Sequence, residues 1–274
     1  MMVEDNSPRS RPPAKAAQGS GRAGPAGRRR RMRAGAQAAW PMDRRPPTDS
    51  EIHVIVTARD EAERIAATIA GVRSAFPRAV VLVADDGSAD ATAQLAREAG
   101  AQVLRGERPL GKGQAATLAA RTLMGERAEP AEGIVVFCDG DLGSSAALLE
   151  PLAEAVGDGR ADVAVAAFTT RIGGGFGLAL GFARFAIRRR CGVRMRAPIS
   201  GQRALHAGVL RDVVPFARGF GMEVGMTIDA ARAGHRVLEL ELELSHRASA
   251  RTPSGFVHRG RQLADFIRVY LARR

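Results

Sequence analysis

From Ile52 onward, runs of consecutive apolar residues alternate with stretches in which apolar residues recur at helical spacing. Ile52-His53-Val54-Ile55-Val56 is the first run and predicts a strand. Ile65, Ile69 and Val72 then follow at the spacing of one helix face, with Asp60 as N-cap and Glu63 three residues on, a capping-box start. Ala79-Val80-Val81-Leu82-Val83-Ala84 is apolar throughout, which predicts a strand buried on both faces. Ser88 or Asp90 caps the next helix, which ends at Gly100, and Ala101–Leu104 makes a short third strand. A helix after Gly113 runs from Ala115 to Leu123. Gly133–Phe137 is the fourth strand, Ser145–Val156 the helix after it, and Ala161–Phe168 the fifth strand. Strands alternating with helices predict right-handed crossovers. The fold class is α/β, a mostly parallel, doubly wound sheet with helices on both faces.

Beyond Thr170 the pattern changes. Gly173-Gly174-Gly175 reads as a loop, and Phe176–Arg190 as a helix that is apolar first and basic at its end. That helix suits either the core or a membrane surface. Gly219-Phe220-Gly221-Met222-Glu223 opens a helix to Ala233, Val237–Leu242 alternates strictly as a strand with one polar face, and an Arg-rich helix closes the chain from Gly255 to Leu271. No apolar stretch reaches the roughly 18 residues that span a bilayer. Residues 1–47 are rich in Pro, Gly, Ala and Arg without periodicity, which predicts a disordered tail ahead of a single domain at 48–274. A true start at Met32 or Met42 would remove most of that tail.

The net charge of +12 belongs mostly to the tail, where ten Arg and Lys15 face only Glu4, Asp5 and Asp43. Such a segment suits nucleic acid or anionic lipid, and equally a solvated extension. Cys138 and Cys191 have no metal-ligand spacing, and Cys138 sits inside an apolar run, which fits a reducing compartment. The expected location is cytoplasmic, with at most peripheral contact at the inner face of the membrane. Lysine occurs only at Lys15 and Lys112. In a chain that uses arginine elsewhere, the lone lysine of the folded part invites a chemical reading.

Ligands of open parallel sheets bind outside the carboxyl ends of the strands. Four clusters fall there in order: Thr57-Ala58-Arg59-Asp60-Glu61, Asp85-Asp86-Gly87-Ser88, Leu110-Gly111-Lys112-Gly113 and Asp139-Gly140-Asp141. Each alone is ordinary turn chemistry. Together they offer carboxylates for a hard divalent cation, and a point-charge ammonium for phosphate beside glycines that admit close approach.

These motifs resemble family 2 glycosyltransferases of the GT-A fold, nearest to dolichyl-phosphate mannose synthase-like and glucosyl-3-phosphoglycerate synthase-like enzymes. The family's usual Pro-Ala-x-Asn-Glu start is Thr57-Ala58-Arg59-Asp60-Glu61 here. The resemblance implies a nucleotide-sugar half at 48–145 and an acceptor half at 146–274. It implies donor contacts from Thr57, Ala58, Arg59, Glu61, Asp85, Asp86, Lys112, Asp139 and Gly140. Mg²⁺ or Mn²⁺ would sit on Asp141, with Asp139 on metal or ribose and His246, in Ser245-His246-Arg247, as a third ligand. His258 is a weaker competitor for that place. Arg203, in Ser200-Gly201-Gln202-Arg203, would meet an anionic acceptor such as a polyprenyl phosphate or phosphoglycerate. Arg247, Arg251, Arg259 and Arg261 would add phosphate contacts. Glu223 would act on the attacking hydroxyl or orient the sugar, and Asp141, Glu223 and Arg203 form the catalytic set. The implied reaction is metal-dependent hexose transfer from a UDP- or GDP-sugar. A homodimer is left open.

Two other classes remain. A nucleotidyltransferase would need a Gly-rich, lysine-bearing loop after the first strand, where Thr57–Glu61 stands. A non-catalytic nucleotide- or RNA-binding module would rely on the basic tail. The chain's one Trp and one Tyr give the domain little surface on which to stack bases, so no specific nucleic acid is expected.

Overall fold

The structure is a computed structural model that describes residues 52–125, 133–168, 177–244 and 253–274. The expectations for the 1–47 tail, the triple-glycine loop and Ser245-His246-Arg247 fall outside these residues.

Seven strands form one sheet: β1 (Ile52–Ala58), β2 (Val80–Asp85), β3 (Gln102–Arg105), β4 (Ile134–Asp139), β5 (Val163–Phe168), β6 (Arg203–His206) and β7 (Val237–Leu242), in the order β3-β2-β1-β4-β6-β5-β7. All pairings are parallel except those of β6, which runs antiparallel to β4 and β5. The apolar runs are explained by two buried faces. Along β1, Val54 and Val56 join one core and Ile55 the other; along β4, Val136 and Cys138 oppose Val135 and Phe137. Burying each such side chain contributes roughly 1.5–3 kcal/mol.

One face is covered by α1 (Ile65–Ala75), α2 (Thr92–Glu98), the 3-10 turn Gly143–Leu149 and α4 (Glu150–Gly157), through Ile65, Ile69, Leu149 and Leu152. The other packs under α3 (Lys112–Met124), α5 (Gly177–Cys191), the short α6 (Leu210–Val213), α7 (Met222–Arg232) and α8 (Pro253–Ala272). The inner face of α3 is Ala116, Ala119 and Ala120, so that helix lies close on the sheet. Among the described residues no helix is long and apolar enough to cross a membrane.

One expectation is corrected, one open alternative is resolved, and one strand was not expected. Asp60 does not cap α1, which begins at Ile65. Asp60 is left-handed (φ 56°), takes a 2.8 Å hydrogen bond from Ala89 N on Oδ1, and its own N–H donates to Ser88 Oγ at 3.0 Å. It ties the end of β1 to the turn after β2. Asp90, not Ser88, serves the α2 start, accepting from Thr92 N at 2.9 Å. The segment 203–206 is a strand inserted between β4 and β5. It is only four residues long, with two apolar residues, too short to show alternation.

Candidate active site

The parallel pairing aligns three strand ends. Ala58 lies opposite Asp85, and Thr57 opposite Asp139. Backbone bonds continue the alignment past the strands: Asp86 N donates to Ala58 O at 3.0 Å, and Gly140 N to Thr57 O at 2.9 Å. A Cβ at Gly140 would fall 3.0 Å from that of Ala58, so the Asp-Gly-Asp turn lies flat against β1. Thr68, buried on α1, fixes the turn from beneath. Its hydroxyl donates to Gly140 O at 2.7 Å and accepts from Gly143 N at 2.8 Å.

The centre of the site is an ion cluster. Lys112, the first residue of α3, reaches Asp139 Oδ1 in a short contact and Glu223 Oε1 at 2.8 Å. Asp139 Oδ1 also accepts from Thr57 Oγ1 at 3.2 Å, and its Oδ2 from Gln202 Nε2 at 2.8 Å. Burial alone would lower the Lys112 pKa, but the carboxylates of Asp139 and Glu223 override it and hold the ammonium well above its ordinary value. Burial likewise favours protonation of Asp139, yet Lys112, Gln202 and Thr57 hold its carboxyl below the usual range. Burial, with Asp139 and Asp141 nearby, pushes the neighbouring Cys138 thiol up. A Cβ on Gly201 would sit within 2.7 Å of Asp139 Oδ1 and Lys112 Nζ, so a larger residue would displace the pair.

Three sequence-predicted residues are committed elsewhere. Asp86 turns back into its own loop and accepts from Leu110 N at 2.7 Å and Gly111 N at 2.8 Å. It thereby sets the left-handed Gly111 (φ 98°) from which α3 starts. Arg203 is 1% exposed and does not face an acceptor. Its Nε donates to Ser200 O at 2.8 Å, Nη1 to Thr227 Oγ1 at 2.8 Å and Nη2 to Pro198 O at 3.1 Å. It is a strut under the site, and burial brings its pKa down to about 10 against the opposing pull of Glu223, Glu239 and Asp139. Arg59 is half-exposed, 3.7 Å from Asp60 and 4.0 Å from Asp86.

Glu223 is buried at the start of α7. The turn before it, Gly219–Gly221, is held by α8, where Asp265 Oδ2 accepts from Phe220 N at 3.1 Å. Asp85 lies at the end of β2. Its Oδ1 accepts from both Ser88 N, at 3.0 Å, and Ser88 Oγ. Its Oδ2 is buried and accepts no hydrogen bond among the described residues, with Arg105 Nε 3.5 Å away. Glu61 N donates to Thr92 Oγ1 at 2.8 Å, placing Glu61 beside the β2 turn.

Asp141 is half-buried on the rim, and its carbonyl accepts from Arg64 Nη1 at 3.2 Å. Among the described residues no three His, Cys, Asp or Glu side chains converge as a metal site. His246 and Arg251 lie outside the described residues, as do the side chains of His258 and Arg259; Arg261 is exposed on α8. Asp139 spends both oxygens on Lys112, Thr57 and Gln202, and Asp141 is the other carboxylate of the turn, placed on the rim. One carboxylate completed by phosphate oxygens and water is a donor set that Mg²⁺ or Mn²⁺ accepts.

Four participants were missed in the sequence. Gln202 occupied the variable position of Ser-Gly-x-Arg, Gly201 looked like motif glycine alone, and Arg105 ended a short strand. Thr68 carried a signal: it is a polar residue on the Ile65–Ile69–Val72 face.

A family model described as glycosyl transferase family 2 matches residues 53–214. Glycosyltransferase AglJ of Haloferax volcanii is 31% identical over 198 residues, 69% of this chain. The chain spans 61% of that relative's length. Among solved structures, glucosyl-3-phosphoglycerate synthase of Mycobacterium tuberculosis with phosphoglyceric acid is 26% identical, with a TM-score of 0.65 over 81% of this chain and 79% of that one. The same enzyme with Mn²⁺, uridine diphosphate and glucosyl-3-phosphoglycerate is 27% identical, with a TM-score of 0.63 over 81% and 79%. Its complex with Mg²⁺ and uridine diphosphate is 26% identical, with a TM-score of 0.62 over 81% and 78%. With the family model covering more than half of the chain and the solved relatives matching its fold, the chain belongs to glycosyltransferase family 2 and carries its GT-A type fold.

Proposed function

We propose that this chain transfers a hexose from a uridine diphosphate sugar to a hydroxyl of an anionic acceptor, with Mn²⁺ or Mg²⁺ at the diphosphate. The observation that carries the reading is the convergence of Asp85, Lys112, Asp139 and Glu223 on one sheet edge. The complexes of the mycobacterial neighbour with Mn²⁺ or Mg²⁺, uridine diphosphate and phosphoglycerate support it.

The half-used carboxylate of Asp85 favours uracil. Uracil presents one N–H donor between two carbonyl acceptors. Asp85 Oδ2 takes the donor, and Arg105, a donor-only group beside it, suits a flanking carbonyl. Guanine would offer two adjacent donors and needs both carboxylate oxygens, of which Oδ1 is already committed to Ser88. Cytosine would set a lone pair against Oδ2.

Lys112 stands where the diphosphate would lie, and shifts from its carboxylates toward the phosphates as the donor arrives. Asp141 would hold the metal, with Asp139 positioned by Lys112 and Gln202 toward the ribose. The metal supplies Lewis-acid stabilisation of the leaving diphosphate. Glu223 accepts a hydrogen bond from a sugar or acceptor hydroxyl and aligns it at the anomeric carbon. The acceptor oxygen bonds to that carbon as its bond to the diphosphate breaks, and the hydroxyl proton leaves with the diphosphate. Arg203 acts as a positioning residue, holding the 198–200 turn under the site.

The test is product formation from a panel of UDP- and GDP-hexoses with phosphoglycerate and polyprenyl phosphate as acceptors. UDP release coupled to a glycosylated anionic product is expected. Turnover of GDP-sugars alone, or none with any donor, overturns the reading.

A further inference from the structure

Outside the site, the outer side of α5 and α8 carries a group of exposed apolar side chains. Among the described residues eight large apolar side chains stand exposed, and four lie on these two helices: Leu178 (85%), Phe185 (51%), Ile267 (39%) and Leu271 (48%). They form one strip. Leu178, Phe182 and Phe185 fall at helical spacing on α5; Ile267, Tyr270 and Leu271 do so on α8. Tyr270 is the seam, its ring 5.9 Å from Phe182 and 5.7 Å from Phe185. Arg190 is stacked over it at 3.8 Å.

Among the described residues the charged side chains of α5 and α8 beside the strip are mostly arginines, with Glu239 and Glu241 reached through Arg196, whose carbonyl accepts from Arg184. Helix α5 has no acidic residue, and Arg184, Arg188 and Arg189 are exposed along it. The one acid of α8, Asp265, is engaged by Phe220 N and by Arg268 Nη1 at 2.6 Å. Arg268 is itself 75% exposed, and Arg274 follows.

We propose that the α5–α8 face docks on an anionic lipid bilayer. Aliphatic and aromatic side chains flanked by arginines match the boundary between acyl chains and negatively charged headgroups. The charge argues against other occupants. A two-fold dimer would set this face against itself and bring the arginines together. A nucleic acid would meet the arginines but gain nothing from Leu178, Ile267 and Leu271. The inference is independent of the donor and acceptor assignments above.

The test is cosedimentation of the full chain with phosphatidylcholine vesicles, and with vesicles in which about a third of the lipid is phosphatidylglycerol. Binding to the anionic vesicles alone is expected. Leu178→Ser/Phe185→Ser, which keeps every arginine including those of residues 1–47, should weaken it about tenfold or more, with the melting temperature checked. If the double variant misfolds, Leu178→Ser alone serves, since that side chain touches little. No binding to anionic vesicles overturns the proposal. So does binding that the serine variants leave unchanged, since the tail arginines would then carry it. A dimer in light scattering that these variants dissolve would assign the face to a second copy instead.

Discussion

Replacing Lys112 with methionine keeps the aliphatic stem and removes the only charge between two carboxylates. The wild-type cluster holds two negative groups and one positive within contact. In Lys112→Met, Asp139 keeps Thr57 and Gln202, while Glu223, with its side chain 6% exposed, loses the cation it contacts and keeps only the longer-range pull of Arg203. Breaking a buried ion pair costs about 3–5 kcal/mol. The side chains of Lys112 and Asp139 are 26% and 31% exposed, so solvent screens part of the penalty. A loss of about 2–3 kcal/mol at pH 8 follows, or about 5–10 °C in melting temperature for a domain of this size. The sign with pH is also set. Lys112 holds the Asp139 carboxyl below its ordinary range, so the stability lost with Lys112 is full above that range and shrinks as pH falls through it. Urea unfolding at about pH 3.5 and at pH 8 should show a smaller cost at the lower pH. Adding Glu223→Gln in the same background should restore about 2 kcal/mol at pH 8, a coupling expected of direct contacts. A cost below about 0.5 kcal/mol, or one equal at both pH values, would refute the claim that Lys112 neutralises this pair.

Two further outcomes follow from contacts around the sheet. Gly201→Ala forces a methyl group against Asp139 and Lys112; it should cost about 1–3 kcal/mol of stability and at least tenfold in donor affinity by calorimetry, while a variant with wild-type affinity would mean the pair has room. Asp162, buried at the start of β5, accepts from Arg236 N at 2.7 Å and from its Nε and Nη2, both at 3.2 Å. Although burial opposes it, these bonds hold its carboxyl below the ordinary 3.8, so the stability it contributes is present above that pH and lost as pH falls through the native value. Asp162→Asn should cost about 1–3 kcal/mol at neutral pH, with the difference from wild type closing below pH 4 in a melting series.

What could be read from the sequence depended on how locally each feature is encoded. Strands β1, β2, β4 and β5 are continuous apolar runs because both faces are buried, and such runs need no partner to be recognised. Strand β6 exists because β4 and β5 flank it, and nothing within Arg203–His206 announces that. The strand-end carboxylates and Lys112 were visible because a turn rich in Asp and Gly follows each run. Their division of labour was not. Asp86 resembles its neighbour Asp85 in sequence, yet one closes a loop and the other keeps a buried oxygen open. The acceptor role of Arg203 came from the likeness of Ser200-Gly201-Gln202-Arg203 to a family segment; its position on an interior strand makes it a strut. Gln202 and Gly201 entered the site through β6, whose placement is a tertiary fact.

The central claim is that this sheet edge holds a nucleoside diphosphate through a cation on Asp141. Calorimetric titration of uridine diphosphate into the protein, with Mn²⁺ and then with EDTA, tests it most directly. The account predicts binding with Mn²⁺, a loss of at least about tenfold in EDTA, and the same loss for Asp141→Ala in the presence of metal. Uridine diphosphate that binds equally well in all three cases, or in none, would contradict it.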